Sequence, residues 1–151
     1  MKLETRAYPR NSETEEIHKL IRNRIESVRA RNAVAATTIS SSDLLLFDVV
    51  NPLQITGPEE QRKRLTEWLS SFHGPVDFEM LQLRVAANGK LGYSHGLCHV
   101  NATAKDGNRL NMYWRWTACF HKLDGIWKIT HEHNSVPFDA MSGKASIDLK
   151  P

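Results

Sequence analysis

Three two-residue turn signals, Asn88-Gly89, Asp106-Gly107 and Asp124-Gly125, stand 18 residues apart and constrain the second half of this chain more than anything else in it. Asn-Gly and Asp-Gly supply the positive φ angles of a type I′ turn, so each predicts a tight hairpin. Three in series predict a four-stranded antiparallel meander. Sixteen residues separate Gly89 from Asp106, about 53 Å of extended chain, where an ordinary strand has ~5–6 residues. A sheet of such strands must curl, and Gly92 and Gly96 are its expected bend points.

The first half reads as helices that cover this sheet. Ser12 to about Arg31 carries an S-x-x-E capping box at Ser12 and Glu15, with Ile17, Leu20, Ile21, Ile25 and Val28 at helical spacing. Residues 32–42 predict a short helical turn and a loop. Asp43 to Val50 is a buried-strand candidate, and Gly57-Pro58-Glu59-Glu60 opens a further helix with Leu65, Trp68, Leu69 and Phe72 on one stripe. The order predicts an α+β domain, helices on one side of an antiparallel sheet. At 151 residues with no linker, repeat or low-complexity segment, a single domain over 1–151 is expected, with an arm at 1–11 and a tail at 139–151.

Composition narrows the class. Net charge is +3, and the basic residues of the helices alternate with glutamates instead of forming one patch, so a nucleic-acid partner is not expected. No apolar run approaches the ~18 residues of a membrane span, and the polar start, Met1 to Asn11, lacks the apolar core of a signal peptide. A cytoplasmic protein is the expectation. Cys98 and Cys119 have no metal or redox spacing and read as two reduced thiols.

If all three turns have two residues, the register follows, and with it the side chains on each face. One face gathers Phe78, His99, Trp114 and Ser135; then Met80, Leu97, Trp116 and His133; then Gln82, His95, Ala118 and His131; then Arg84, Tyr93, Phe120 and Ile129. Its aromatic content assigns it to the helix-facing, concave side. The opposite face then carries Cys98, Cys119, Arg115, Thr117, Glu132 and Asn134, and the last four suit a half-polar interface for a homodimer.

The run Asp124-Gly-Ile-Trp-Lys-Ile-Thr-His-Glu-His-Asn-Ser-Val-Pro137, with Arg115-Trp-Thr117 and Phe47-Asp-Val-Val-Asn-Pro-Leu53 before Gly57, resembles the SnoaL-like, ketosteroid-isomerase-like proteins of the nuclear transport factor 2-like superfamily. The resemblance spans about Ser12 to Pro137. It implies a cone-shaped α+β fold with a deep cavity and a dimer packed through the sheet. That superfamily contains isomerases, cyclases, dehydratases and purely associative domains, so membership does not choose among them. Ketosteroid isomerases use a carboxylate base, whereas the expected concave sheet face holds no Asp or Glu; only Asp43 or Asp48 could supply one.

Three readings of the cavity follow. In the first, cofactor-independent acid–base chemistry of isomerase, cyclase or dehydratase type acts on a small apolar or aromatic substrate. His131 or His133 is the base, Tyr93, His95 or Gln82 donates to a developing enolate, and Asp48 is the alternative carboxylate. Trp114, Trp116, Phe120, His99, Met80 and Arg84 then line the substrate site. In the second, His131, His133 and His95 hold a metal, but no fourth ligand stands beside them, so none is expected. In the third, the domain binds a metabolite or assembles without catalysis.

Overall fold

The computed structural model describes residues 8–151, so most of the expected 1–11 arm lies outside them. Helix α1 spans Ser12–Arg29, α2 Ala33–Thr37 and α3 Pro58–Ser70; strands are β1 Ser40–Phe47, β2 Ile55–Thr56, β3 Phe72–Asn88, β4 Leu91–Ala104, β5 Arg109–Leu123 and β6 Ile126–Ser135. One six-stranded sheet has the order β2-β1-β6-β5-β4-β3. The expected meander forms its larger part, and β1 joins β6 in parallel. The helices cover one side, giving the curved α+β architecture expected.

Helix α1 is capped one residue earlier than the S-x-x-E pattern indicates. The Asn11 side chain accepts the Thr14 N–H at 2.8 Å, and Thr14 Oγ1 accepts the Asn11 N–H at 2.9 Å. Asn is as good a cap as Ser, and this choice buries Thr14 with Ile17 and Ile21 against the sheet. Lys122 Nζ and Trp127 Nε1 both donate to Glu16, each at 2.8 Å, and dock the helix on β5 and β6.

The turns separate the register from its expected form. Asp124-Gly125 is a two-residue turn with both φ angles positive, joining Leu123 to Ile126 as expected. Gly89-Lys90 forms the first loop, and Asn88, paired with Leu91, ends its strand. The middle turn has three residues: Ala104 and Asn108 flank Lys105-Asp106-Gly107, with the Gly107 N–H donating to the Ala104 carbonyl. Gly107, at φ 88°, closes it in the left-handed region. An odd loop in place of an even one turns all of β4 over relative to β5.

Two bulges add further half-steps. One at Gln82–Leu83 shifts the β3–β4 pairing between Leu81 and Arg84. The other leaves Thr130 unpaired between Phe120↔Ile129 and Cys119↔His131. Gly96 faces the first bulge, and a Cβ there would lie 2.9 Å from the Leu81 carbonyl oxygen, while a Cβ on Gly92 would meet Ile17 at 3.0 Å. Both glycines therefore permit close approach of other chain segments.

The consequence is a corrected face assignment. Phe78, Met80, Trp114, Trp116, Phe120 and Ile129 face the helices as expected, joined by Cys98, Glu132 and Asn134, which were expected outside. Tyr93, His95, His99, His131 and His133 lie on the outer face, as do Gln82 and Arg84. The histidine cluster is thus absent from the concave side, and the carboxylate expected to be missing there is present.

Candidate functional site

Between the sheet and α1 and α3 lies a cavity of about 610 Å³, within the usual range for small-molecule sites. Its walls are mainly apolar and include Trp68, Phe78, Met80, Met112, Trp114 and Trp116. Helix α3 delivers Trp68 edge-on to both Phe72 and Trp114, at 5.0 and 6.5 Å between ring centroids. Tail residues Ala145 and Ile147 reach back to line the cavity, held by a turn in which the Asp139 carboxylate accepts the Met141 and Ser142 N–H groups. Phe120 is fully buried but belongs to the core and not to the cavity wall.

One polar cluster is built into this apolar wall. Glu132 is 2% exposed. Arg24 meets it with two parallel hydrogen bonds of 2.9 and 3.0 Å, Trp116 Nε1 donates at 2.8 Å and Gln61 Nε2 at 3.1 Å. Ser40 Oγ donates to the Gln61 oxygen at 2.6 Å, which orients that amide. A carboxylate offers about four lone-pair sites, and here four donors fill them. Burial works against the Arg24 charge, but the Glu132 charge and the hydrogen bonds to it outweigh burial and raise the guanidinium pKa. The acceptor sites of Glu132 are saturated. Beside it, burial pushes the Cys98 thiol up, with Arg24 opposing and Glu132 adding, so it is a neutral apolar group at pH 7.

A second carboxylate, Asp48, follows β1 and lines the same cavity. It accepts from Arg64 Nε at 2.7 Å and from the Val49 N–H at 2.8 Å. Two donors leave about two lone-pair sites free, and the side chain is 19% exposed, so a bound molecule can reach it. Asn134 accepts the Trp114 indole N–H at 3.0 Å. Because indole only donates, this fixes the amide oxygen and leaves the NH₂ without a protein partner among the described residues.

The other predicted residues are engaged elsewhere. His99 bonds Glu79 and Asn111 at 2.9 and 2.8 Å and stacks on Tyr113; His131 Nδ1 bonds the Leu45 carbonyl at 2.9 Å, with Phe47 packing edge-on against His131 and His133. Tyr93 stacks on His95, whose Nε2 lies 3.4 Å from the Tyr8 hydroxyl. Asp43 is exposed. Among the described residues, no group of three or more His, Cys, Asp or Glu is placed to hold a metal ion, and no helix is long and apolar enough to cross a membrane. Arg115 and Thr117 lie on the outer face as expected, whereas Glu132 and Asn134 do not.

Residues 17–139 match the family model described as SnoaL-like domain, and the chain belongs to that family. Its fold is that of an NTF2-like protein of unknown function from Pseudomonas putida KT2440, with 30% identity, a TM-score of 0.83 and coverage of 93% of this chain and 97% of that one. A ketosteroid isomerase-like protein from Erwinia carotovora atroseptica shares the fold at 14% identity and a TM-score of 0.70, covering 83% and 97%. An uncharacterized protein with a cystatin-like fold from Caulobacter vibrioides does so at 16% identity and a TM-score of 0.71, covering 84% and 91%. No curated protein matches the chain in sequence.

Proposed function

We propose that the cavity binds a neutral, largely apolar ring compound and moves a proton on it, with Asp48 as the base. The observation that carries this reading is the contrast between the two cavity carboxylates. Glu132 is filled by four donors, whereas Asp48 receives two and is open to the cavity. A general base needs a free lone pair within reach of the proton it takes. Asp48 has one and Glu132 does not.

The remaining groups fit such a step. Asn134 offers unpartnered amide hydrogens to an oxygen on which negative charge develops, and Trp68, Trp114 and Phe78 hold a flat ring and exclude water. Arg24, neutralised by Glu132, adds no net charge to the wall, so the reading favours uncharged guests. Isomerase-type chemistry is supported at the level of class by the family match and by the fold shared with the ketosteroid isomerase-like protein.

The test uses a panel of neutral bicyclic and tricyclic ketones. Binding is followed by quenching of the cavity tryptophans, and proton abstraction by deuterium uptake beside the carbonyl in D₂O. Asp48→Asn should keep binding and lose exchange by roughly a hundredfold or more, the usual contribution of a positioned base. Exchange by this variant at the wild-type rate refutes the assignment. A panel that binds without any exchange favours the non-catalytic reading.

A further inference from the structure

We propose that Arg24 selects among ring compounds in the cavity by donating hydrogen bonds to a neutral oxygen at the ligand's inner end, remote from the reacting carbonyl. This rests on the reading of the cavity as a ring-compound site, and adds a second polar feature that such a compound must carry.

Arg24 lies on α1 between Ile21 and Val28 and lines the cavity, with its side chain 14% exposed. A guanidinium has five N–H donors. Glu132 takes one from each terminal nitrogen, at 3.0 and 2.9 Å. The others, the Nε–H among them, have no acceptor among the described residues. Glu132 cannot serve them, because Trp116 and Gln61 fill its remaining sites. The carboxylate of this pair is satisfied and the guanidinium is not.

The strands fix where these donors stand relative to the proposed base. β1 and β6 run parallel with Leu46 beside Glu132, and Asp48 and Asn134 follow two residues further on, about 7 Å along the strand direction. Val136 comes next on β6, where the chain enters the tail whose Ala145 and Ile147 also line the cavity. Along β6 the wall thus passes from Arg24 and Glu132, through Asp48 and Asn134, to the tail. A fused-ring ketone with its carbonyl at Asp48 and Asn134 extends its far ring toward Arg24.

Donor and acceptor supply decides what that far ring carries. A carbonyl or ether oxygen accepts from Arg24 and asks nothing of Glu132. An amine brings donors where the acceptors of Glu132 are already taken, and a carboxylate sets a second negative charge beside it. A bare hydrocarbon ring shuts the free N–H groups off from water without replacing it, the circumstance in which a polar site rejects an analogue lacking the matching group. Cys98, held neutral by burial, offers no competing charge.

Calorimetric titration compares decalone with two derivatives substituted on the ring remote from the carbonyl: a dione, with a second carbonyl there, and an amino-ketone. The dione is expected to bind roughly tenfold more tightly than decalone, and the amino-ketone no more tightly. Arg24→Met with Glu132→Leu removes the free donors and keeps the wall apolar, so this variant should bind decalone and lose the preference for the dione. Arg24→Lys, which keeps a charge on Glu132 but has fewer donors to spare, should lose most of it as well. Asp48→Asn should retain the preference, so failure of Asp48 as the base leaves this selectivity standing and the two readings fall separately. The proposal is overturned if the dione does not bind saturably, if it binds no more tightly than decalone, if the amino-ketone gains as much, or if either Arg24 variant prefers the dione as the wild type does.

Discussion

On the helix side of the sheet every buried charge is matched: Glu132 takes two bonds from Arg24, one from Trp116 and one from Gln61. On the outer side Arg84 and Arg115 stand exposed with no partner among the described residues, around a bulge. Both arrangements follow from solvent. A buried charge costs several kcal/mol unless fully paired, whereas water screens an exposed one at little cost. Saturation inside builds a rigid wall, in which Asp48, with two donors, is the cavity carboxylate left open.

The largest effect expected from this contrast is on stability. Glu132→Ala leaves Arg24 buried and unpaired and should cost about 3–5 kcal/mol, read from denaturant unfolding. Replacing both partners together, as Arg24→Met with Glu132→Leu, should recover much of that loss. Arg84→Gln on the outer face should change stability by no more than about 0.5 kcal/mol. If Glu132→Ala unfolds at the wild-type denaturant concentration, the Arg24–Glu132 pair is not what holds the wall.

The cysteines sharpen the same division without a stability change. Cys98 is 1% exposed with its thiol pKa raised by burial, and Cys119 lies exposed on the outer face. A thiol reagent should therefore titrate one cysteine in the native protein and two in denaturant. Two fast-reacting native thiols would put β4 back on its expected face.

The smallest effect concerns the tail. The backbone N–H of Ser142, with its side chain and the Met141 N–H adding, holds the Asp139 carboxyl below the usual carboxylate range. A depressed folded pKa stabilises at pH above the unfolded value, and that contribution is lost as pH falls through the folded one. Protection factors at Met141 and Ser142, which compare exchange with the intrinsic rate at each pH, should accordingly fall as the solution is acidified below ordinary carboxylate pKa values, before the core opens. Exchange at these amides that tracks global unfolding at every pH would contradict this.

The fold was legible because its signals are local. Asp-Gly and Asn-Gly mark turns wherever they occur, and the Ile17, Ile21 and Val28 stripe marks a buried helix face. The site was not legible because face assignment depends on parity. Asp106-Gly107 suits a two-residue turn, with both residues at positive φ, and a three-residue loop, with Gly107 alone there; the structure takes the second. Nothing in the side chain of Thr130 distinguishes a bulge from a regular strand residue. These half-steps moved four histidines outward and Glu132 inward. Arg24 did carry a readable signal: it lies on the apolar stripe of α1, between Ile21 and Val28, where a charge needs a buried partner. Asp48 was named from its place on the early strand, which ends one residue before it, and Arg64 of α3 holds its carboxylate.

The division between a chemically open cavity and an outer face that carries the histidines is tested most directly by one paired exchange measurement. On a ketone that the wild type deuterates, Asp48→Asn is compared with the double variant His131→Gln, His133→Gln. Asp48→Asn is expected to lose exchange while ligand binding still quenches its tryptophan fluorescence, and the histidine variant to exchange as the wild type does. Loss of exchange in the histidine variant, with Asp48→Asn unaffected, would contradict that division.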